Sequence, residues 1–154
     1  MSTGPIHAFL SGTGRDGARR SLADILAFDD ARIEGVHDYI QWCFPLAEAS
    51  RAVPGAPVLG RDEAEAIRAD ETAREGQRSA LARMRLFYTR TDGWLRPYDH
   101  NHLRITRILT AIRSLLGPDE AEAFHAFVTT RNAEAGSPIN QDSLRYWGSA
   151  LRDA

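Results

Sequence analysis

Two short segments hold most of the versatile side chains of this sequence, Val36 to Leu46 (VHDYIQWCFPL) and Asn101 to Leu109 (NHLRITRIL). If the second is helical, Arg104 and Arg107 lie three residues apart on one flank, with Asn101 a turn earlier. Guanidinium groups so placed suit two kinds of work. They can join Glu34, Asp38 and Glu48 in an ion-pair network that docks two core helices. They can instead take an anion or peptide carboxylate, with Tyr39, Gln41 and Trp42 as walls and His37 beside them. The network is the simpler reading, because buried polar groups need partners whether or not a ligand exists. The ligand site is the sharper one, and its expected residues are His37, Tyr39, Gln41, Trp42, Asn101, Arg104 and Arg107.

Other chemistries find less support. Metal sites draw on histidines that converge, as in HxxxH on a helix. His100 and His102 are two apart at an expected helix start, where side chains diverge by about 200°. Capping suits both, and a satisfied core imidazole suits His37; haem ligation by His37 or His125 is less expected still. No metal set is expected. His37-Asp38 is not a triad, since triad members converge in space and not along a helix, and GxSxG is absent. Glu63 with Glu65, and Glu120 with Glu122, fall on polar faces where carboxylates are solvated. Gly12, Gly14 and Gly17 fit GxGxxG, but only the apolar stub Ile6 to Leu10 precedes them, where a dinucleotide site needs a buried strand. A flexible loop is expected there, with no cofactor and no catalytic residue.

With 154 residues, 43% of them hydrophobic, the chain has the length for one domain with a core of its own. Its formal charge is −2 and its pI near 6.2, so no broad positive field draws in nucleic acid. All 19 basic residues are arginine, which suits bidentate contacts and leaves no Schiff-base lysine. Cys43, the sole cysteine, sits between Trp42 and Phe44 as a buried thiol would, consistent with a reducing compartment. The first residues have no signal-peptide pattern, and no window reaches the roughly 18 apolar residues of a membrane span. A soluble, cytoplasmic protein is expected.

The elements that must position these residues read as helices throughout. Residues 1–20 form a Gly-rich opening segment, and residues 21–154 a single helical domain. Ser21 with Asp24 makes a capping box, and Asp29 or Asp30 caps the next helix. Ile33, Val36, Ile40 and Phe44 then trace one helical face up to Pro45, with Tyr39 and Trp42 on another, which predicts a single, largely buried helix. Residues 45–60 are irregular. Asp70 caps a long helix, weakened at Gly76 by about 1 kcal/mol relative to alanine. The clearest stripe is Ile105, Ile108, Leu109, Ile112, Leu115 and Leu116, stopped by Gly117-Pro118. Phe124, Phe127 and Val128 mark another helix, and Leu144, Trp147 and Leu151 the last, from about Asn140. The expected fold is all-α, a single irregular bundle of about six or seven helices.

The blocks HDYIQWCFPL and NHLRITRIL resemble the two signature blocks of the conserved region of the opioid growth factor receptor family. The likeness extends through APVLGRDEAEAI, ARMRLFYT and DSLRYWGSAL, from about Phe9 to Leu151, in order and at matching spacing. Cys43 stands where leucine is usual and His102 where a second asparagine is. The resemblance implies a conserved helical domain, here as a stand-alone bacterial member; in the vertebrate receptor it is associated with binding an enkephalin-type peptide. It implies no catalytic motif. The expected function is a non-enzymatic domain that binds a peptide or small anionic ligand, with no nucleic-acid partner and no membrane span. A structural or protein-interaction module acting as a homo-oligomer is the alternative, and an uncharacterised enzyme or metal protein built on His37 a second.

Overall fold

The computed structural model describes residues 3–152, whose regular elements are nine helices with no strand among them. The all-α expectation is met; the larger number of helices has two sources. Pro5 opens a short helix, α1 (Pro5–Leu10), in the segment read as a lead-in. The expected single helix across the first block is in fact two, α3 (Asp30–Gly35) and α4 (Ile40–Cys43). The chain forms two compact units, Met1–Met84 and Arg85–Ala154, and the division falls within the 20-residue helix α6 (Glu71–Arg90).

In the first unit, Ser21 and Asp24 close the predicted capping box of α2 (Leu22–Leu26), and the Asp29 carboxylate accepts from the Arg32 amide to start α3. α3 ends at Gly35, and Val36 turns extended at φ −93°, ψ 131°. The break has a tertiary cause. It turns Tyr39 inward, where its hydroxyl donates to the Ile33 carbonyl at 2.6 Å and its ring meets Phe28 edge-on at 5.6 Å. One of the carbonyls left over at the end of α3 is thereby satisfied inside the core. A continuous helix would keep the apolar stripe and lose this bond.

α1 buries Ile6, Phe9 and Leu10 and packs on α4 and on α5 (Arg61–Arg68). Its N-cap, Gly4, has no side chain to offer, so the cap comes from 56 residues away: Glu63 Oε2 accepts from the His7 amide at 2.9 Å. The His7 ring is fixed from both sides. Its Nδ1 accepts from the Thr3 amide at 3.1 Å, which leaves Nε2–H to donate to Asp70 Oδ2 at 2.7 Å. Gly76, a weak point of α6 by helix propensity, lies against the end of α1: a β-carbon there would collide with the Leu10 carbonyl. The loop read as flexible is anchored too. Buried Asp16 accepts from the Ala18 and Arg20 amides at 2.9 and 2.8 Å and from Arg20 Nε at 2.8 Å. Its centre is a carboxylate, where a phosphate cradle presents donors.

In the second unit, α7 (His100–Leu115) packs on α8 (Pro118–Glu134) and α9 (Gln141–Ala150). The predicted stripe Ile105, Ile108, Leu109 and Ile112 is wholly buried, at about 1.5–3 kcal/mol of transfer free energy for each large aliphatic side chain. α7 stops where expected, since Gly117 takes φ +117°, a conformation that L side chains rarely adopt. Tyr88 lies at the aromatic centre, edge-on to Phe87 at 5.2 Å and to Trp94 at 5.0 Å. Arg131 of α8 donates to the Tyr88, Thr89 and Thr91 carbonyls at 3.3–3.4 Å, and so satisfies the C-terminal end of α6.

Candidate functional site

Within the first unit, the expected site residues mostly serve the core. Tyr39 is buried on Ile33 and Phe28 as described. Trp42, half-buried, packs against Phe9 at 5.7 Å and lies over Gly17. Gln41 is buried, with its side-chain oxygen lacking a hydrogen-bond partner. His37 is exposed in the break between α3 and α4, and so is not the core imidazole expected of it. Cys43 is buried in the core, and desolvation pushes its thiol pKa up, which disfavours the reactive thiolate.

The second block has a comparable inner side. Asn101 is fully buried: its Oδ1 accepts from the Tyr88 hydroxyl at 3.1 Å, and its Nδ2 donates to Asp99 Oδ1 at 2.8 Å. Arg104 is buried and Arg107 half-buried on α7. Within each unit, the described residues bring no three histidine, cysteine or carboxylate side chains close enough to share one ion.

The outer side of the same block forms a cleft. Its walls come from the connector before α7, the first turns of α7 and the start of α9: Arg96, Tyr98, Asp99, His100, His102, Leu103, Thr106, Asn140, Ser143 and Tyr146, around about 590 Å³. Local sequence explains the framework. Asp99 caps α7 through the Asn101 amide at 2.9 Å and is gripped by Arg96 Nε at 2.9 Å. Burial opposes its ionisation, but the Asn101 bonds, Arg96 and the charge on His100 outweigh burial and hold the carboxyl below its usual value. Asn140 caps α9 by accepting from the Ser143 amide at 2.8 Å, and its Nδ2 ties that cap to the Pro97 carbonyl at 2.6 Å.

Above this polar floor stand apolar side chains that no core covers. Tyr98 is 78% exposed, Leu103 67% and Tyr146 62%, and they are the three most exposed of the five large hydrophobic residues exposed among the described ones. An apolar rim over a few oriented polar groups is the usual composition of a binding site.

His102 lies at the base of the cleft, buried, and is held on every side. Its Nε2 is 2.8 Å from the Trp94 carbonyl oxygen, which can only accept, so Nε2 carries the proton. Nδ1 is then the lone-pair nitrogen and accepts from the Ser143 hydroxyl at 3.4 Å. Ser143 Oγ in turn accepts from Asn140 Nδ2 at 2.9 Å. The His102 carbonyl takes the Trp147 indole N–H at 3.0 Å, and the two rings meet edge-on at 6.0 Å. No spacing along the chain pairs His102 with Ser143, which lie 41 residues apart and meet only through the packing of α7 on α9. In comparisons with protein-family models, curated proteins and solved structures, the chain matches none.

Proposed function

We propose that this chain is a helical ligand-binding domain of the opioid growth factor receptor type, and that a peptide or small molecule occupies the cleft bounded by Tyr98, Leu103 and Tyr146. The observation that carries this reading is the exposure of those three side chains around a floor whose hydrogen-bonding groups are already oriented. Leaving such apolar area in water forgoes about 25 cal/mol for each Å², which a ligand recovers on binding. The reading relocates the site within the second block. Asn101 and its neighbours hold α7 in place, while the outer residues Leu103 and Thr106 meet the ligand. Asp99 and Asn140 set the walls, with their polar atoms engaged by Arg96, Asn101, Pro97 and Ser143, and the exposed Tyr98 and Tyr146 rings suit a ligand with an aromatic or apolar group. The buried Cys43 thiol fits a reducing compartment such as the cytoplasm.

The test is an NMR titration of isotope-labelled protein with an enkephalin-type peptide and a panel of small aromatic amides and esters. Shift changes centred on Leu103, Thr106, Ser143 and Tyr146 are expected, together with at least about tenfold weaker binding in the Tyr98→Ala, Tyr146→Ala double variant. Changes centred elsewhere would remove the assignment. A mass that rises with concentration and falls in the same variant would show a second copy of the chain to be the occupant instead.

A further inference from the structure

We propose that Ser143 is a nucleophile activated by His102, so that the cleft is an acyl-transfer site for small esters with an aromatic or apolar group. This rests on the reading of the cleft as a binding site and deepens it. Ser143 lines the cleft, its Oγ lies 3.4 Å from His102 Nδ1, and the far side of the imidazole is held by the Trp94 carbonyl at 2.8 Å. The chain therefore aligns a hydroxyl, a base in the correct tautomer and a group that orients the base, which is the logic of a nucleophile–base–orienter set. A main-chain carbonyl stands where a carboxylate often does.

Capping alone does not explain the hydroxyl. The α9 N-terminus is capped by the Asn140 side-chain oxygen on the Ser143 amide; Oγ accepts from Asn140 Nδ2, and its own proton is left to point at His102. Asn140 Nδ2 reaches Oγ at 2.9 Å and is fixed in turn by Pro97, so a donor already faces the oxygen that loses its proton. The hydroxyl also lies in the first turn of the ten-residue α9, whose dipole favours negative charge there.

In the reaction, Oγ attacks the ester carbonyl carbon as its proton passes to His102 Nδ1. The tetrahedral intermediate collapses with cleavage of the bond to the alkoxy oxygen, which leaves as the alcohol with that proton. Water then attacks the acyl-serine, giving its proton to Nδ1, and the acid departs as Oγ is reprotonated. Ester and water become acid and alcohol, with no redox partner needed.

The test is reaction of the full chain with an aryl-bearing fluorophosphonate, followed by peptide mass spectrometry. Oγ bonds to phosphorus, fluoride leaves and His102 takes the proton. The expected result is one adduct, on Ser143, absent in Ser143→Ala and slowed about 100-fold or more in His102→Gln, whose amide can still donate to the Trp94 carbonyl. Folding of both variants is checked by circular dichroism. An adduct elsewhere, or a folded His102→Gln that reacts at the wild-type rate, would overturn the proposal. An aryl ester that shifts the cleft resonances of Ser143→Ala, with no adduct on the wild type, would remove the nucleophile and leave the binding site standing. Absence of both removes both.

Discussion

The Tyr88 hydroxyl donates to Asn101 Oδ1 at 3.1 Å, joining the last turns of α6 to the first turn of α7 inside the core of the second unit. Asn101 in turn donates to Asp99, a wall of the cleft, so the floor of the cleft is tied to the aromatic centre of the unit. Tyr88→Phe keeps the ring packing and removes one buried hydrogen bond. It is expected to lower unfolding stability by about 1–2 kcal/mol, read from urea denaturation at constant m-value. An unchanged midpoint would mean that the bond contributes nothing.

Gly76 sets helix propensity against packing. On an isolated helix, Gly76→Ala would stabilise by about 1 kcal/mol. Here the added methyl group meets the Leu10 carbonyl, a backbone atom that cannot turn aside. The variant is therefore expected to be less stable than wild type by about 1–3 kcal/mol in thermal or urea unfolding. A more stable variant would show that α1 does not lie against α6 at that point.

Asp70 links the first unit to pH. The hydrogen bond from His7 is the main cause that holds its carboxyl below the ordinary value of 3.8, helped by the Thr72 and Ala73 amides against a smaller desolvation effect. Because the folded pKa lies below the unfolded one, the bond stabilises fully above the unfolded value and is lost as pH falls through the folded value. Urea midpoints should therefore fall below about pH 4. Asp70→Asn should flatten part of that fall, while Asp24, Glu71 and Asp99, also held low, keep the remainder. Equal acid slopes for variant and wild type would count against the His7–Asp70 link.

Much of the secondary structure was legible because its causes are local. The Ser21–Asp24 box, the Asp29 cap, the α7 stripe and its stop at Gly117-Pro118 each depend on residues within about a turn of one another. The first block misled for the complementary reason. Its spacing of threes and fours is that of one helix, yet the Tyr39 bond to the Ile33 carbonyl favours a break, and that bond forms only once the core encloses both groups.

The sequence by itself determined the class of fold, the main helices and the sides that they bury, since hydrophobic period and capping chemistry act over a few residues. The tertiary structure alone decided the use of the remaining faces. The Glu63 carboxylate caps a helix 56 residues away, the Leu10 carbonyl explains Gly76, and Ser143 meets His102 across 41 residues. No spacing rule encodes such meetings, because they depend on how helices pack rather than on where residues fall along the chain.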